Sequence, residues 1–452
     1  MMAPTRHFPD WFGRTVAVLG ARVVGTAVTT TLLADGVAVD VYDDHAAVVS
    51  ATLKDLEGLG ARICSPPTDW KAALADIQAI IPSPGVPPTH AAFAAASELD
   101  IPIVGDLDLA GSFIGSRSVI GITGTNGKTT VTQLIEAVLN AGGMRAVACG
   151  NYGVPFIEAV ADDQTDVFVV EVSSFQLHYS ESFHPNIAVL TSLAEDHLDW
   201  HGSFSAYLAD KAKIFERFED TDCLIADIGD THVAALTSAL PPSRFGYAVA
   251  ADGSVTIETR GTVPKLDIAE CLPPQAANIV EVRNRVAAAA VGAACGLRTT
   301  AIRAALEHAS RFPHRLELVG QALGVRYVDD SKATNPHATL AALDGLESVI
   351  LIAGGRNKGL DLAVLAERSS SLKYVVCIGE SAPEISRAFE GKVPTRTADS
   401  MRTAVGIAAE IASPGDTVLL SPACASFDWY GSYAERGEDF ANEVRNVTGG
   451  QR

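Results

Sequence analysis

A short apolar run, Val119 to Ile122, leads into Gly124-Thr125-Asn126-Gly127-Lys128-Thr129-Thr130 and then into VTQLIEAVLNAGG. Val131, Leu134, Ile135 and Val138 recur at helical spacing, and Gly142 and Gly143 supply the stop. A glycine-rich loop between a buried strand and a helix commits this part of the chain to an α/β fold with a parallel sheet. It also predicts a phosphate site. Glycines let backbone N–H groups converge on phosphate oxygens, and the helix N-terminus favours negative charge. Lys128 is spaced to reach the β- and γ-phosphates, and the Thr129 hydroxyl to ligate Mg²⁺. The longer GxxxxGK[ST] loop needs glycine where Ile122 stands, so the match is to a shorter GxxGKT loop preceded by Gly121. The plainer alternative is a glycine-rich turn with an exposed lysine. The loop alone leaves kinase, hydrolase and ligase open.

The same alternation extends along the chain. Thr15–Leu19, Val37–Tyr42, Ile77–Ile81 and Ile101–Asp106 read as strands, with a helix stopped at Gly36. Asp166–Val172 and Ile187–Leu190 read as buried strands. Residues 220 to 275 read as short β-rich pieces, and the alanine-rich stretch after Arg285 as a buried helix. Further strands are predicted at Val325–Val328, Val349–Ala353, Tyr374–Ile378 and Thr417–Leu420. With 452 residues, at about 150 per domain, this gives three domains. The boundaries fall at 1–106, 107–311 and 312–452, with a third unit beginning near Phe312.

Composition excludes several classes. With 54 acidic against 34 basic residues the formal charge is −20, which disfavours nucleic acid as a partner. Anions must then be held at local sites. The longest apolar candidate, Val286–Leu297, is only 12 residues, too short for a membrane span, and the N-terminus lacks the shape of a signal peptide. The expected compartment is the cytoplasm. Seven scattered cysteines without a CxxC pair suggest neither a zinc site nor a disulfide framework.

Acidic and histidine groups follow the later strands. Glu171 closes DVFVVEV, where a carboxylate is equally suited to Mg²⁺ or to a hydrogen-bonded turn. His197, in Glu195-Asp196-His197-Leu198-Asp199, is a metal ligand, a hydrogen-bonding group or simply structural. Lys211 and Lys213 lie in YLADKAKIFERF, where a solvated helix face is the default reading. In the first domain Gly20-Ala21-Arg22-Val23-Val24-Gly25 invites a dinucleotide reading, but Arg22 replaces the glycine that lets backbone approach a pyrophosphate.

GTNGKTT, VEVSSFQL, EDHLDWHG and YLADKAKIF together closely resemble the central ATPase domain of the Mur ligases. FPHRLE, DDSKATNP, AGGRNKG and LLSPACASFD resemble that family's C-terminal domain, and SKATN and SPACASFD point to its D-glutamate-adding branch. The resemblance runs from about residue 12 to residue 445. It implies an α/β protein with an N-terminal Rossmann-like domain, a central P-loop ATPase-type parallel sheet and a C-terminal Rossmann-like domain. It implies ATP-dependent amide formation between UDP-N-acetylmuramoyl-L-alanine and D-glutamate through an acyl phosphate, in peptidoglycan precursor synthesis, by a monomer. ATP would be held by Gly124, Thr125, Asn126, Gly127, Lys128, Thr129 and Thr130, with Asn284, Arg315 and the ribose-binding Asp330. Two Mg²⁺ sites would use Thr129, Glu171, His197 and Lys211, the last carbamylated. Catalysis would rest on Lys128, Glu171, His197 and Lys211. The UDP substrate would meet Asp43, Ser83 and Gly85 in the first domain, and Asn151, Ser173 and His197 nearer the γ-phosphate. Lys332, Thr334, Lys358, Ser426, Phe427 and Tyr433 would form the D-glutamate pocket. Two departures stand out: the family's His-Asn pair before Asn284 is absent from IVEVRNR, and Tyr433 stands where phenylalanine is expected. Arg22 is read as a partner for the UDP diphosphate, or as a surface residue.

Two other readings compete. One is another amide ligase of the superfamily, such as folylpolyglutamate synthase, which the SPACASFD segment opposes. The other is a nicotinamide-dependent oxidoreductase, which leaves GTNGKTT unexplained. A non-enzymatic nucleotide-binding module would have no use for Glu171, His197 and Lys211 after successive strands.

Overall fold

Apolar runs punctuated by glycine turns give three sheets in the computed structural model, which describes residues 14–238, 243–250, 253–260, 268–272, 279–308 and 313–449. The expected start of the third unit near Phe312, the 311/312 boundary and the N-terminal segment up to residue 13 lie outside the described residues. The chain clusters into two compact units. One comprises Met1–Leu193, Ser205–Pro274 and Arg283–His308; the other comprises Ala194–Phe204, Gln275–Val282 and Ala309–Arg452.

The first unit holds two sheets. Strands β1 (Thr15–Leu19), β2 (Ala38–Tyr42), β3 (Arg62–Cys64) and β4 (Ile80–Pro82) form a parallel sheet in the order β3-β2-β1-β4. The expected strand at Ile101–Asp106 does not form. Ile103 makes an isolated bridge to Ile80, and Asp106 instead opens the helix Asp106–Gly111, where its carboxylate lies at the helix start. The second sheet is built from β5 (Ser118–Thr123), β6 (Ala146–Gly150), β7 (Val167–Glu171), β8 (Ile187–Leu190), β9 (Cys223–Asp227), β10 (Arg244–Val249) and β11 (Val255–Arg260). Its order is β11-β10-β9-β8-β5-β7-β6, parallel except for the β10–β11 pair. The helix Lys128–Ala141 buries Val131, Leu134, Ile135, Val138 and Leu139. Each such side chain contributes about 1.5–3 kcal/mol of burial. In the helix Ile279–Ala294, Val286 through Ala289 are fully buried, as an alanine-rich stretch without a polar face requires. Tyr179 Oη donates to Val86 O at 2.6 Å and Gln176 Nε2 to Asp106 Oδ2 at 2.8 Å, joining the regions of the two sheets.

The second unit is built on β12 (Glu317–Ala322), β13 (Val325–Asp329), β14 (Val349–Gly354), β15 (Leu372–Ile378), β16 (Thr395–Thr397) and β17 (Thr417–Leu420), in the order β12-β13-β17-β14-β15-β16. Only β12–β13 is antiparallel. VILIAG of β14 is buried throughout, as in a parallel strand covered on both faces. The α/β class with parallel-dominated sheets is thus the observed one. None of the seven cysteines is in a disulfide, and among the described residues no helix is long and apolar enough to cross a bilayer.

Candidate active site

Parallel register sets the first constellation. In the central sheet Ile122 pairs with Glu171, Thr123 with Leu190 and Gly150 with Glu171. The carboxyl ends of four neighbouring strands therefore share one edge, where α/β sheets take ligands. The loop 124–130 leaves β5 there. Gly124 and Gly127 have φ of +145° and +88°, and a Cβ at either would press on Thr191 Oγ1 or Asn284 Oδ1. Only glycine meets both the dihedral and the space. Asn284, on another helix, is thereby placed against Gly127 despite the missing His-Asn pair. Thr125 N donates to Ser192 O at 2.6 Å, and Thr191 Oγ1 donates to Asn126 O at 2.6 Å, so the two residues that follow β8 brace the loop.

Two lysines converge on this loop. Lys128 Nζ donates to Gly124 O at 2.8 Å and Thr125 O at 3.0 Å. Lys211 Nζ donates to Gly124 O at 2.8 Å and reaches Thr123 Oγ1 at 3.4 Å. Lys211 is 1% exposed, so the solvated-face reading is corrected. The helix Phe204–Ala212 turns Tyr207 and Lys211, four residues apart, to the same inward face. The ammonium lies 4.7 Å from the Tyr207 ring centroid, and Tyr207 Oη meets Thr125 Oγ1 at 3.0 Å. Lys213 is also drawn inward, donating to His178 O at 2.6 Å. Sequence reasoning missed Tyr207; its signal was the i, i+4 spacing to Lys211.

Glu171 is 3% exposed. Its Oε1 accepts from Asn151 Nδ2 at 2.9 Å, while Oε2 is buried without a hydrogen-bond partner. An unsatisfied buried carboxylate oxygen costs free energy unless something cationic meets it. Hard oxygen donors of this kind suit Mg²⁺, and the Thr129 hydroxyl belongs to the loop beside it. The residues therefore fit a nucleotide-bound cation. Ser173 is consumed locally: its hydroxyl and amide both bond Gln176 in a capping box. In the first sheet Asp43 Oδ2 accepts from Ala21 N and Oδ1 from His45 N, each at 2.7 Å. Ser83 Oγ donates to Gly20 O at 2.9 Å, and the space beside Gly85 is open. Arg22 is exposed at the start of the helix Val23–Ala34.

The remaining predicted residues belong to the second unit. Asp329 pairs with Leu420, and Ile352 with Leu420, so segments 330–335, 355–358 and 421–427 leave the same edge of that sheet. Asp330 accepts from Ser421 Oγ at 2.8 Å. Burial raises its carboxyl to about 7, against the pull of Ser421 and Arg315. Lys332 Nζ lies 5.0 Å from the Tyr433 ring centroid. Thr334 is half-buried, Ser426 is 2% exposed, and Phe427 points outward at 62%. Lys358 Nζ donates to Asp196 Oδ1 at 2.8 Å, and His197, with φ of +53°, follows directly. Arg436 was not foreseen. Its guanidinium is 1% exposed and bonds Ser331 Oγ, Ser331 O and Cys424 O at 2.8–3.1 Å, stitching SKATN to SPACASFD. Burial lowers it to about 10. An arginine on the stripe of Phe440 and Val444 was the available signal. His314, Glu317 and Asp329 bring ligand atoms within 4.8 Å of one another. His314 Nδ1 and Asp329 Oδ2 are 2.7 Å apart, and His314 N donates to Glu317 Oε2, so mutual hydrogen bonds account for the cluster.

Residues 122–255 match the Mur ligase middle domain, and residues 314–424 match the Mur ligase glutamate ligase domain. The chain belongs to the Mur ligase family and is an ATP-dependent ligase by class. Among relatives, a protein of Frankia casuarinae named UDP-N-acetylmuramoylalanine–D-glutamate ligase is 40% identical, over 96% of this chain and 95% of its own. A protein of the same name from Desulfosudis oleivorans is 39% identical over 97% of each chain. The solved UDP-N-acetylmuramate-alanine ligase of Thermotoga maritima shares the fold, with a TM-score of 0.57 at 18% identity over 96% of this chain and all of that one.

Proposed function

We propose that the chain joins D-glutamate to UDP-N-acetylmuramoyl-L-alanine at the expense of ATP, in the cytoplasmic assembly of peptidoglycan precursors, acting as a monomer. One observation carries the chemistry: the partnerless Oε2 of Glu171 beside the GTNGKTT loop, in a chain whose near-full-length relatives bear that ligase name. The substrate carboxylate attacks the γ-phosphorus and ADP leaves, giving an acyl phosphate. The amine of D-glutamate then attacks the carbonyl carbon. A C–N bond forms, a proton leaves the amine, and phosphate departs.

Both reactants in the first step are anions, so the barrier is largely their repulsion. Loop amides and Lys128 hold the triphosphate, and the amino end of the helix Lys128–Ala141 adds its dipole. Two bound Mg²⁺ would neutralise charge on the phosphates, one with Thr129 and Glu171 as its protein ligands and the second with His197. Asn151 fixes Glu171. Carbamylation of Lys211 belongs to the same reading, as do nucleotide contacts from Asn284, Arg315 and Asp330. The UDP group is assigned to Asp43, Ser83 and Gly85 with Arg22 at its diphosphate, and D-glutamate to Lys332, Thr334, Lys358, Ser426, Phe427 and Tyr433. The working segments are 1–106, 107–311 and 312–452.

The test is phosphate release from Mg²⁺-ATP and UDP-N-acetylmuramoyl-L-alanine with amino acids added singly. Release with D-glutamate alone is expected. Release only with L-glutamate on a folate acceptor overturns the proposal in favour of a folylpolyglutamate synthase, and NAD binding without release in favour of an oxidoreductase.

A further inference from the structure

Asp196 is one carboxylate serving three hydrogen-bond donors. Its Oδ1 accepts from Lys358 Nζ at 2.8 Å and from His197 N at 2.9 Å. Its Oδ2 accepts from Asn335 Nδ2 at 3.1 Å and faces His197 Nε2 at 3.7 Å. The side chain is 7% exposed and that of Lys358 15%. Lys358, the His197 amide and Asn335 thus surround this buried carboxylate with donors. A buried charge persists only when paired this completely.

Lys358 lies on the loop that follows β14. The base of that loop is pinned by reciprocal backbone bonds between Arg356 and Ala425, 2.9 and 3.0 Å, and by Asn357 closing on Leu360. The backbone is therefore fixed, while the four-carbon stem would be free without an anchor. Asp196 supplies the anchor. It takes one of the three ammonium donors and leaves the others for an incoming anion.

We infer that Asp196 is the positioning residue for Lys358: it pre-places the ammonium that receives a carboxylate of the amino-acid substrate, and so determines D-glutamate affinity. The inference rests on the proposed reading of Lys358. Pre-placement removes the ordering of a long side chain from the act of binding. The opposite effect also exists, because Asp196 is itself an anion near the incoming one. Its sharing among Asn335, the His197 amide and Lys358 makes anchoring the larger effect.

The test is a double-mutant cycle in the full-length enzyme, with Asp196→Asn, Lys358→Met and the pair, read as D-glutamate-dependent phosphate release at saturating Mg²⁺-ATP and UDP substrate. Asp196→Asn is expected to raise the D-glutamate KM about tenfold, with the ATP KM unchanged. The pair is expected to be no worse than Lys358→Met alone. An unchanged or lowered D-glutamate KM, or losses that multiply in the pair, would overturn the inference. If Asp196→Asn does not fold, Asp196→Ser is read in the same cycle. If wild type works only with another amino acid, the functional reading fails, and the cycle is read with that amino acid instead.

Discussion

The free Oε2 of Glu171 makes a prediction at the scale of one atom. Replacing it by Glu171→Gln leaves the size but supplies a neutral, weaker oxygen ligand. The Mg²⁺ concentration for half-maximal activity should rise at least about tenfold, measured by titrating phosphate release. An unchanged Mg²⁺ dependence would remove Glu171 from the metal site. The position of this carboxylate was legible in sequence because a strand and its end are local features. The burial of Lys211 was not. Asp210 and Lys213 beside it read as a solvated face, and the carbonyl that receives its ammonium, Gly124 O, lies 87 residues away. Asp196 and Arg436 are legible only as charges; their pairing partners lie 162 and 105 residues off.

Among elements, the helix Asp106–Gly111 shows how local pattern misleads. IPIVGD alternates like a strand, yet only one bridge forms, and the chain is captured by Gln176 through Asp106. Burial lifts the Asp106 carboxyl to about 6 from an ordinary 3.8, with the Gln176 bond opposing. Between roughly pH 4 and pH 6 the folded state thus keeps a proton that the unfolded chain has released. The stability owed to this group is full below pH 4 and is lost as pH rises through 6. Asp106→Asn removes that titration. Its stability relative to wild type should increase from pH 4 to pH 7, by at most about 3 kcal/mol. Denaturant unfolding of both proteins at each pH measures the difference, and a flat difference would refute it. The missed strand β12 has a related cause. ELVGQA carries Glu317, Gln321 and Gly320 on an antiparallel edge, where alternation is weak and pairing is decided by β13.

At the scale of the whole chain, three parallel-dominated sheets follow from alternating strand and helix signals, because crossover connections leave a visible rhythm in sequence. Their grouping into two units does not. A ligand that binds only folded protein stabilises what it binds, by about 2.7 kcal/mol at a hundredfold excess over its Kd. Calorimetry with Mg²⁺-ATP should therefore show an upward shift for wild type, and little or none for Lys128→Ala at the same nucleotide concentration. An equal shift in the variant would detach Lys128 from nucleotide binding.

The first unit is assembled from three separate stretches, ending with Arg283–His308. During synthesis Asn284 emerges 157 residues after Gly127, the glycine it rests against. The nucleotide cradle proposed here must wait, half-lined, while most of the polypeptide leaves the ribosome. Any truncated version meant to bind ATP through this unit has to run past His308, and a cut made at Leu193 discards the wall on which the cradle closes.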